Sequence, residues 1–431
     1  MARLTKNSDR EYDVVLLGAT GFTGRFAAMH LAEIDRDLKW AIAGRSGAKL
    51  TKLAEELRLK TSQNPDVIPV EFTTQSLDAL ARQTRCLVAT VGPFPQHGVL
   101  VFKSCAENGT HYVDINGETP SVLEMIKAYE DTAKSTGAMM IPSCGVGSLP
   151  ADLLTCLMVE KVKETFDCPT SAGLISVHDS RVQASGGTLN GLVTSVSSYG
   201  LRNILKAGKP WALSPIRPAR SQADKSRNVS KDIIERLKLG TLGFGMTGTH
   251  DQAIVQRTWG LLQQAEHSGL TSTSYGPNFD FRSVQRYPSV VHDWAFWVLF
   301  WVMTILPAIL PPVKWLIKLL VPPGSGPSEQ ERQKNFIEYR GVAIADLKED
   351  AQDFQRNPLL QRGVQARLRY NGDSYVFSGM MAVEAAMILL DSGEDCVAHK
   401  LGGGILTPAT LGQPLADRLR TSGVQIEVEA L

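Results

Sequence analysis

The feature that most constrains this chain is a short apolar run at residues 13–17 that leads directly into Gly18-Ala19-Thr20-Gly21-Phe22-Thr23-Gly24, followed by a helix-forming stretch at 22–34. Three glycines between a strand and a helix imply a turn that must be tight and must be approached closely. Gly18 permits the turn, Gly21 admits a phosphate group to the backbone, and Gly24 lets helix and strand pack without a side chain between them. The first N–H groups of the helix and the positive end of its dipole then face that phosphate. The spacing is GxxGxxG rather than GxGxxG, and glycine-rich turns also form for purely structural reasons. Its placement after a strand and before a helix, near the start of the chain, points to dinucleotide binding.

The next 120 residues keep the same rhythm. Strands at 13–17, 40–43, 67–72, 87–90, 111–115 and 138–142 alternate with helices at 22–34, 48–59, 99–107 and 121–135. Such alternation is the mark of an α/β fold with a parallel sheet and crossover helices. Beyond Pro150 the pattern loosens into strands such as 172–178 and polar loops such as 214–230, which predicts a mixed α+β second domain. A hairpin is expected where 364–370 and 374–377 flank Asn371-Gly372, a dipeptide suited to a type I′ turn. Helices follow at 380–390 and near 411–421. The expected division is a nucleotide-binding domain at 11–150, a substrate domain at 151–378 and a terminal segment at 379–431.

The end of the second strand reads Ala43-Gly44-Arg45-Ser46, with no carboxylate to hold a free ribose 2′-hydroxyl. Arg45 offers charge-assisted hydrogen bonds to a 2′-phosphate, and Ser46 a hydroxyl or backbone donor. This favours NADPH, the alternative being that Arg45 is a solvated surface side chain. Val91-Gly92-Pro93-Phe94 follows the fourth strand, where it either shapes the nicotinamide end of the crevice or forms an ordinary βα turn.

With 45 lysines and arginines against 44 aspartates and glutamates, the chain has no net field to draw a polyanion, so nucleic acid is not an expected partner. The six cysteines show no paired spacing that would suggest zinc, and no metal is expected. They read as reduced intracellular thiols. Residues 1–12 are polar and charged, unlike a signal peptide, so a cytoplasmic protein is expected.

The glycine turn and the Arg45-Ser46 turn, taken with Gly92-Pro93-Phe94, Gly98, Gly109-Thr110-His111-Tyr112-Val113-Asp114 and Gly117-Glu118, resemble the saccharopine dehydrogenase-like oxidoreductases. The resemblance continues through Ser185-Gly186-Gly187-Thr188, Pro323-Gly324-Ser325-Gly326-Pro327-Ser328 and Gly403-Gly404-Ile405-Leu406-Thr407-Pro408-Ala409. It implies a Rossmann domain joined to an α+β domain, with the terminal helix folded back onto the first. Similar members include trans-acting enoyl reductases, which implies an apolar or carrier-tethered acyl substrate of polyketide or lipid type and a synthase partner. The alternatives are a dehydrogenase acting on an imine or amino acid adduct and a lipid-droplet or membrane protein without turnover. One departure stands out. Where the family commonly has Gly-Phe-Asp-Ser-Ile-Pro-Ser-Asp, this chain reads Gly145-Val146-Gly147-Ser148-Leu149-Pro150-Ala151-Asp152, so a role of that first aspartate does not carry over.

Reducing an activated double bond requires a held nicotinamide and a donor that protonates the developing enolate. The candidates near strand ends are Tyr112, Asp114, Asn116, Glu118, Cys144 and Ser148. Tyr112, Asp114 and Cys144 are the catalytic candidates chosen from these; Tyr112 and Asp114 alternate along one strand and so share a face. Asp114 either acts there or braces the loop to Gly117. Cys144 is either a catalytic thiol or a small buried hydrophobe. His97 is expected beside the nicotinamide ribose or exposed on its loop.

Residues 294–321 differ in kind from the rest. An uncharged run at 294–310 is near the lower limit for spanning a bilayer, and Pro311-Pro312 breaks it. Lys314 and Lys318 follow, one turn apart. Four of the seven tryptophans (Trp294, Trp297, Trp301, Trp315) fall here, and tryptophan favours the junction of apolar and wet layers. Peripheral attachment to a membrane or lipid droplet is expected, the alternatives being a pocket wall, a subunit interface or a true span. A homodimer is expected on general grounds.

Overall fold

A computed structural model describes residues 9–34, 37–183, 191, 198–218, 229–310, 312–313, 326–347 and 362–431. The first half builds β1 (Tyr12–Leu17), α1 (Phe22–Glu33), β2 (Trp40–Gly44), α2 (Gly47–Thr61), β3 (Asp66–Pro69), α3 (Thr74–Gln83), β4 (Thr84–Ala89), α4 (Val99–Asn108), β5 (His111–Asp114), α5 (Thr119–Thr136) and β6 (Met139–Ile141). The second half builds α6 (Leu149–Phe166), β7 (Thr170–Arg181), α7 (Leu201–Ala207), α8 (Lys231–Arg236), β8 (Thr241–Gly243), α9 (Gly248–His267), β9 (Asp280–Tyr287), α10 (Val290–Ile309) and α11 (Glu329–Arg332). It ends with β10 (Phe336–Ala345), β11 (Gly363–Tyr370), α12 (Ser374–Leu390), α13 (Val397–Leu401), β12 (Gly404–Ile405), α14 (Gly412–Thr421) and β13 (Gln425–Ala430).

The first sheet has the order β12-β6-β5-β4-β1-β2-β3, and its strand pairs are all parallel. The chain runs outward from β1 to β3, returns to β4 on the other side of β1, and runs outward again. That reversal between β1 and β4 is the topological switch point of a doubly wound fold, where a ligand crevice opens past the strand ends. β1 is apolar without alternation because both faces are covered. Val14 and Leu16 join the core under α1 and α12, whereas Val15 and Leu17 join the core under α4.

The second sheet has the order β13-β11-β10-β7-β9-β8, antiparallel except for the β7–β9 pair. One face packs on α6. Tyr339, Ala343 and Ala345 of β10 point that way, while Val342 and Ile344 point to a small outer core with Ile233 of α8.

The hairpin expected at Asn371-Gly372 is not formed. β11 passes instead into α12, and neither residue has a positive φ. Asp373 caps α12, its carboxylate accepting the Tyr375 N–H at 2.9 Å. Periodicity missed this start because every residue from Phe377 to Leu389 is buried, so α12 shows no polar stripe. A Cβ on Gly379 would lie 2.8 Å from Ala27 N, so this glycine sets how closely α12 approaches α1.

Candidate cofactor and active site

The glycine turn is tied to the sheet. Gly18 N–H donates to Ala43 O and Gly21 N–H to Gly18 O, each at 2.9 Å, and Gly18 has a φ of +91°. A Cβ on Gly24 would sit 2.2 Å from Gly18 O and 2.8 Å from Thr90 Oγ1. Gly24 is therefore demanded by the chain itself. A Cβ on Gly21 would meet nothing nearer than Gly18 O at 3.1 Å, and one on Gly92 would meet nothing within 4 Å. Those two glycines leave room for something outside the chain. Gly21 also occupies the N-cap of α1 without a side-chain hydrogen bond, and the first turn has no acidic residue, so the helix N-terminus is free to receive an anion.

The other residues of the turn divide by role. Ala19 is buried in the core, and Thr20 and Thr23 are half-buried. The Phe22 ring meets Phe26 and Tyr375 edge-on at 5.3 and 5.1 Å. A Cβ on Gly326 would overlap that ring at 2.2 Å, so the end of the Pro323–Ser328 motif closes against the glycine turn.

Arg45 is exposed at the end of β2, its guanidinium 5.9 Å from the Phe72 ring centroid. Ser46 caps α2, its hydroxyl accepting from Lys49 N at 3.5 Å. A cation and a helix N-terminus thus stand together at the end of β2, an arrangement suited to a 2′-phosphate. Val91 is buried, Pro93 is half-buried, and the Phe94 ring lies so close over Gly98 that a Cβ there would come within 2.4 Å of it. His97 is packed against Phe72 at 4.9 Å between ring centroids. Burial and the nearby Arg45 push its pKa down, and the Phe72 ring that it packs on is the one the Arg45 guanidinium also approaches.

The three first-choice catalytic residues are brought together, but inside the core. Tyr112 is fully buried and donates from Oη to Asp114 Oδ2 at 2.9 Å, with Phe102 edge-on to its ring. Asp114 Oδ1 accepts the N–H groups of Asn116 and Ser143 at 2.9 and 2.8 Å. Burial raises the Asp114 pKa to about 6 against the pull of these donors. Asp114 is thus the brace that joins the ends of β5 and β6. Cys144 is fully buried, donates weakly to Ile141 O at 3.5 Å, and has its thiol pushed well up by burial. A reactive cysteine needs the opposite environment. Neither Tyr112 nor Cys144 has a route to a substrate, and the catalytic reading of this trio gives way to a structural one.

Side chains from the second half complete the crevice. His250, at the start of α9, is fully buried between Ser143 Oγ at 3.1 Å and Thr119 Oγ1 at 2.9 Å. Burial lowers its pKa to about 4, so it is a neutral bridge between the two halves. Tyr199 donates from Oη to Glu118 Oε2 at 2.5 Å. Asn116 accepts the Glu118 N–H at 2.9 Å through Oδ1, while its buried Nδ2 has no protein partner among the described residues. Sequence reasoning listed Glu118 and Asn116 but missed His250 and Tyr199, which arrive from distant positions with no local motif. Ser185–Thr188, also in the family pattern, lies outside the described residues.

The departure at Gly147 has a physical counterpart. A Cβ there would come within 3.0 Å of Thr247 Cγ2, so the threonine methyl takes the space next to it. Asp251 supplies a buried carboxylate nearby, held by Thr247 and Ser283 hydroxyls at 2.9 and 2.8 Å. Asp152, at the end of the same run, is bound by Thr258 Oγ1 at 2.6 Å and Ala409 N at 2.9 Å.

Residues 14–141 match the family of the saccharopine dehydrogenase NADP binding domain. The match runs through the first parallel sheet from β1 to β6 and marks this part of the chain as an NADP-binding domain. Its cofactor is NADPH, and the chain is an NADPH-dependent oxidoreductase whose glycine turn and Arg45 fit that ligand. Over 98% of both chains it is 28% identical to a Mycobacterium tuberculosis protein provisionally named a trans-acting enoyl reductase. It is 26% identical to a trans-acting enoyl reductase of Mycobacterium ulcerans over 99% of both chains, and 27% identical to one of Mycobacterium leprae over 97% of both.

Proposed function

We propose that this NADPH-dependent reductase is an enoyl reductase acting in trans on an apolar acyl substrate of polyketide or lipid type. The observation that carries the reading is the end-to-end similarity to trans-acting enoyl reductases, combined with a crevice whose described residues fit NADPH. When bound, NADPH supplies the hydride. The chain positions the acceptor carbon and excludes water.

A saccharopine-type activity would call for arginines facing the crevice to hold several carboxylates. Arg340, Arg367 and Arg369 do form a cluster, but all three bond to Glu338 at 2.8 to 2.9 Å. They share the outer face of the second sheet with Val342, away from Tyr339 and α6. The chemistry is tested by following NADPH oxidation with a panel of enoyl thioesters against lysine plus 2-oxoglutarate. Oxidation confined to the second mixture would overturn the enoyl reading.

The same proposal places the reductase on a lipid surface through α10. This helix has a mean hydropathy of 1.5 over Val290–Pro307, where only 11% of residues are buried, so it is no wall of an internal pocket. Its inner face is held by Phe244, whose ring meets that of Phe300 at a tilt with centroids 5.1 Å apart and whose N–H donates to Asp293 at 2.9 Å. Val291, Trp294, Trp297, Val298, Trp301 and Ile305 are exposed on the rest. A helix fixed along one side and apolar on the other suits in-plane attachment better than a span.

A further inference from the structure

We propose that Tyr199 is the acid that completes the reduction and that Glu118 returns its proton. The inference rests on the enoyl reading of the site and begins with strand register. Leu17, Ala89 and Asp114 are direct register partners on β1, β4 and β5. The three following loops therefore leave the sheet side by side, carrying Gly18, Gly92 and Glu118 along one rim. Adjacent strands lie about 4.8 Å apart, so the β5 loop is roughly 10 Å from the glycine turn. Arg45 marks the adenosine end on β2, on the opposite side of β1. The nicotinamide end must then extend toward β4 and β5, where Glu118 and Tyr199 stand.

Two further observations separate this pair from an ordinary surface contact. Glu118 sits at the N-cap of α5, yet its carboxylate caps nothing, and Asn116 Oδ1 takes its N–H instead. Among the described residues it has no lysine, arginine or histidine within ion-pair distance, and its carboxylate accepts from the Tyr199 phenol. Tyr199 is 7% exposed. Burial raises the pKa of both groups; for Glu118 it outweighs the lowering by the Tyr199 hydrogen bond and is joined by Asp114, and for Tyr199 it is joined by Glu118 and Glu124 against a Ser121 hydrogen bond. These shifts keep the phenol protonated, and the geometry carries its role: Oη lies against Glu118 Oε2, the group that would resupply the proton.

The reaction balances on these groups. The β-carbon of the enoyl group gains a hydride, with both its electrons, as NADPH is oxidised to NADP+. The α-carbon gains the Tyr199 Oη proton, and the Tyr199 oxygen takes the Glu118 proton. Water reprotonates Glu118 after product leaves.

The test uses the full chain with NADPH and the enoyl thioester that the unmodified protein reduces best. Tyr199→Phe should bind NADPH normally, as judged by fluorescence of the bound cofactor, while kcat falls by about a hundredfold or more, the scale of a lost general acid. Glu118→Gln should lose less, with the loss concentrated at the low end of the pH range, where the unmodified Glu118 carries the proton it relays, and Glu118→Asp should restore part of it. A Tyr199→Phe protein with unmodified kcat would overturn the proposal. A second readout needs no substrate: in protein labelled with 3-fluorotyrosine, the fluorine resonance absent from Tyr199→Phe should move on adding NADP+ and again in Glu118→Gln. If no enoyl thioester is reduced, the enoyl reading fails by itself. The fluorine titration then decides the pair independently, since a resonance that ignores saturating NADP+ places Tyr199 away from the reacting end and overturns its role.

Discussion

Arg257 of α9 donates from Nη2 to Glu130 of α5 at 2.6 Å, and its guanidinium also reaches Leu213 O at 2.7 Å and Ile405 O. The side chain is 1% exposed, so one planar cation ties four parts of the chain together out of water. Arg257→Met should leave these acceptors buried without a donor and cost about 3 kcal/mol of stability, softened because Lys134 also pairs with Glu130. Arg257→Lys should fall between, keeping the charge but losing the fork. Urea unfolding of the three proteins would check the order, and equal midpoints would show that the junction does not depend on this residue.

Gly24 and Gly21 should fail differently when changed. The Gly24 Cβ position overlaps Gly18 O at 2.2 Å, so Gly24→Ala is expected to disturb the β1–α1 packing and lower thermal stability. The Gly21 position, at 3.1 Å from the same atom, tolerates a methyl with a small shift. Gly21→Ala should therefore fold and yet lose NADPH affinity, and the bulkier Gly21→Val should abolish binding. Calorimetry showing undiminished affinity in a folded Gly21→Val protein would move the phosphates elsewhere.

Arg45→Ala should weaken NADPH binding by about 1–3 kcal/mol, the scale of a lost charge-assisted hydrogen bond, and leave NADH nearly unchanged. The exposure of Arg45 makes a folding defect an unsuitable explanation for such a loss. Equal losses for both cofactors would remove the 2′-phosphate assignment.

The first domain was legible because its signals are local. Apolar runs, Gly18-Ala19-Thr20-Gly21 and Arg45-Ser46 each lie within a few residues of the structure they specify. The proton-handling side of the crevice was not legible in the same way. His250 reaches Ser143 across 107 positions and Tyr199 reaches Glu118 across 81, distances over which no spacing rule operates. Tyr112 and Asp114 were correctly placed on one face, but periodicity does not show whether that face meets a ligand or another layer of core. Asn371-Gly372 misled for a related reason, since a turn dipeptide does not say which element follows it. Burial around the whole of α12 hid the answer.

Asp152 gives a pH test of the buried seam. Its folded pKa is raised to about 7, chiefly by burial, against about 3.9 for an unperturbed aspartate. Between these values the folded state holds a proton that the unfolded state has released. The contribution of Asp152 to stability should therefore be greatest below about pH 4 and fall as the pH rises to about 7. Asp152→Asn can still accept from Ala409 N and should flatten that part of the pH profile. An unchanged slope in chemical denaturation between pH 5 and pH 7, on the order of the range set by these pKa values, would assign it to other groups.

The lipid-surface proposal turns on the outer face of α10. At 20 residues the helix is about 30 Å long, which gives several tryptophans simultaneous access to a headgroup layer. Trp294, Trp297 and Trp301 are 67%, 44% and 36% exposed, so replacing them should spare the core that Phe244 and Phe300 form beneath. The unmodified chain is expected to float with liposomes in a density gradient. The triple variant Trp294→Ala, Trp297→Ala, Trp301→Ala should remain in the soluble fraction with normal NADPH binding. Attachment in the plane of the surface also predicts that added anionic lipid strengthens flotation through Lys314 and Lys318 in the sequence that follows. A different result would identify the competing role of this face. If the unmodified chain stays at the bottom of the gradient as a dimer, and the triple variant becomes a monomer, the apolar face joins two subunits and the membrane reading is overturned.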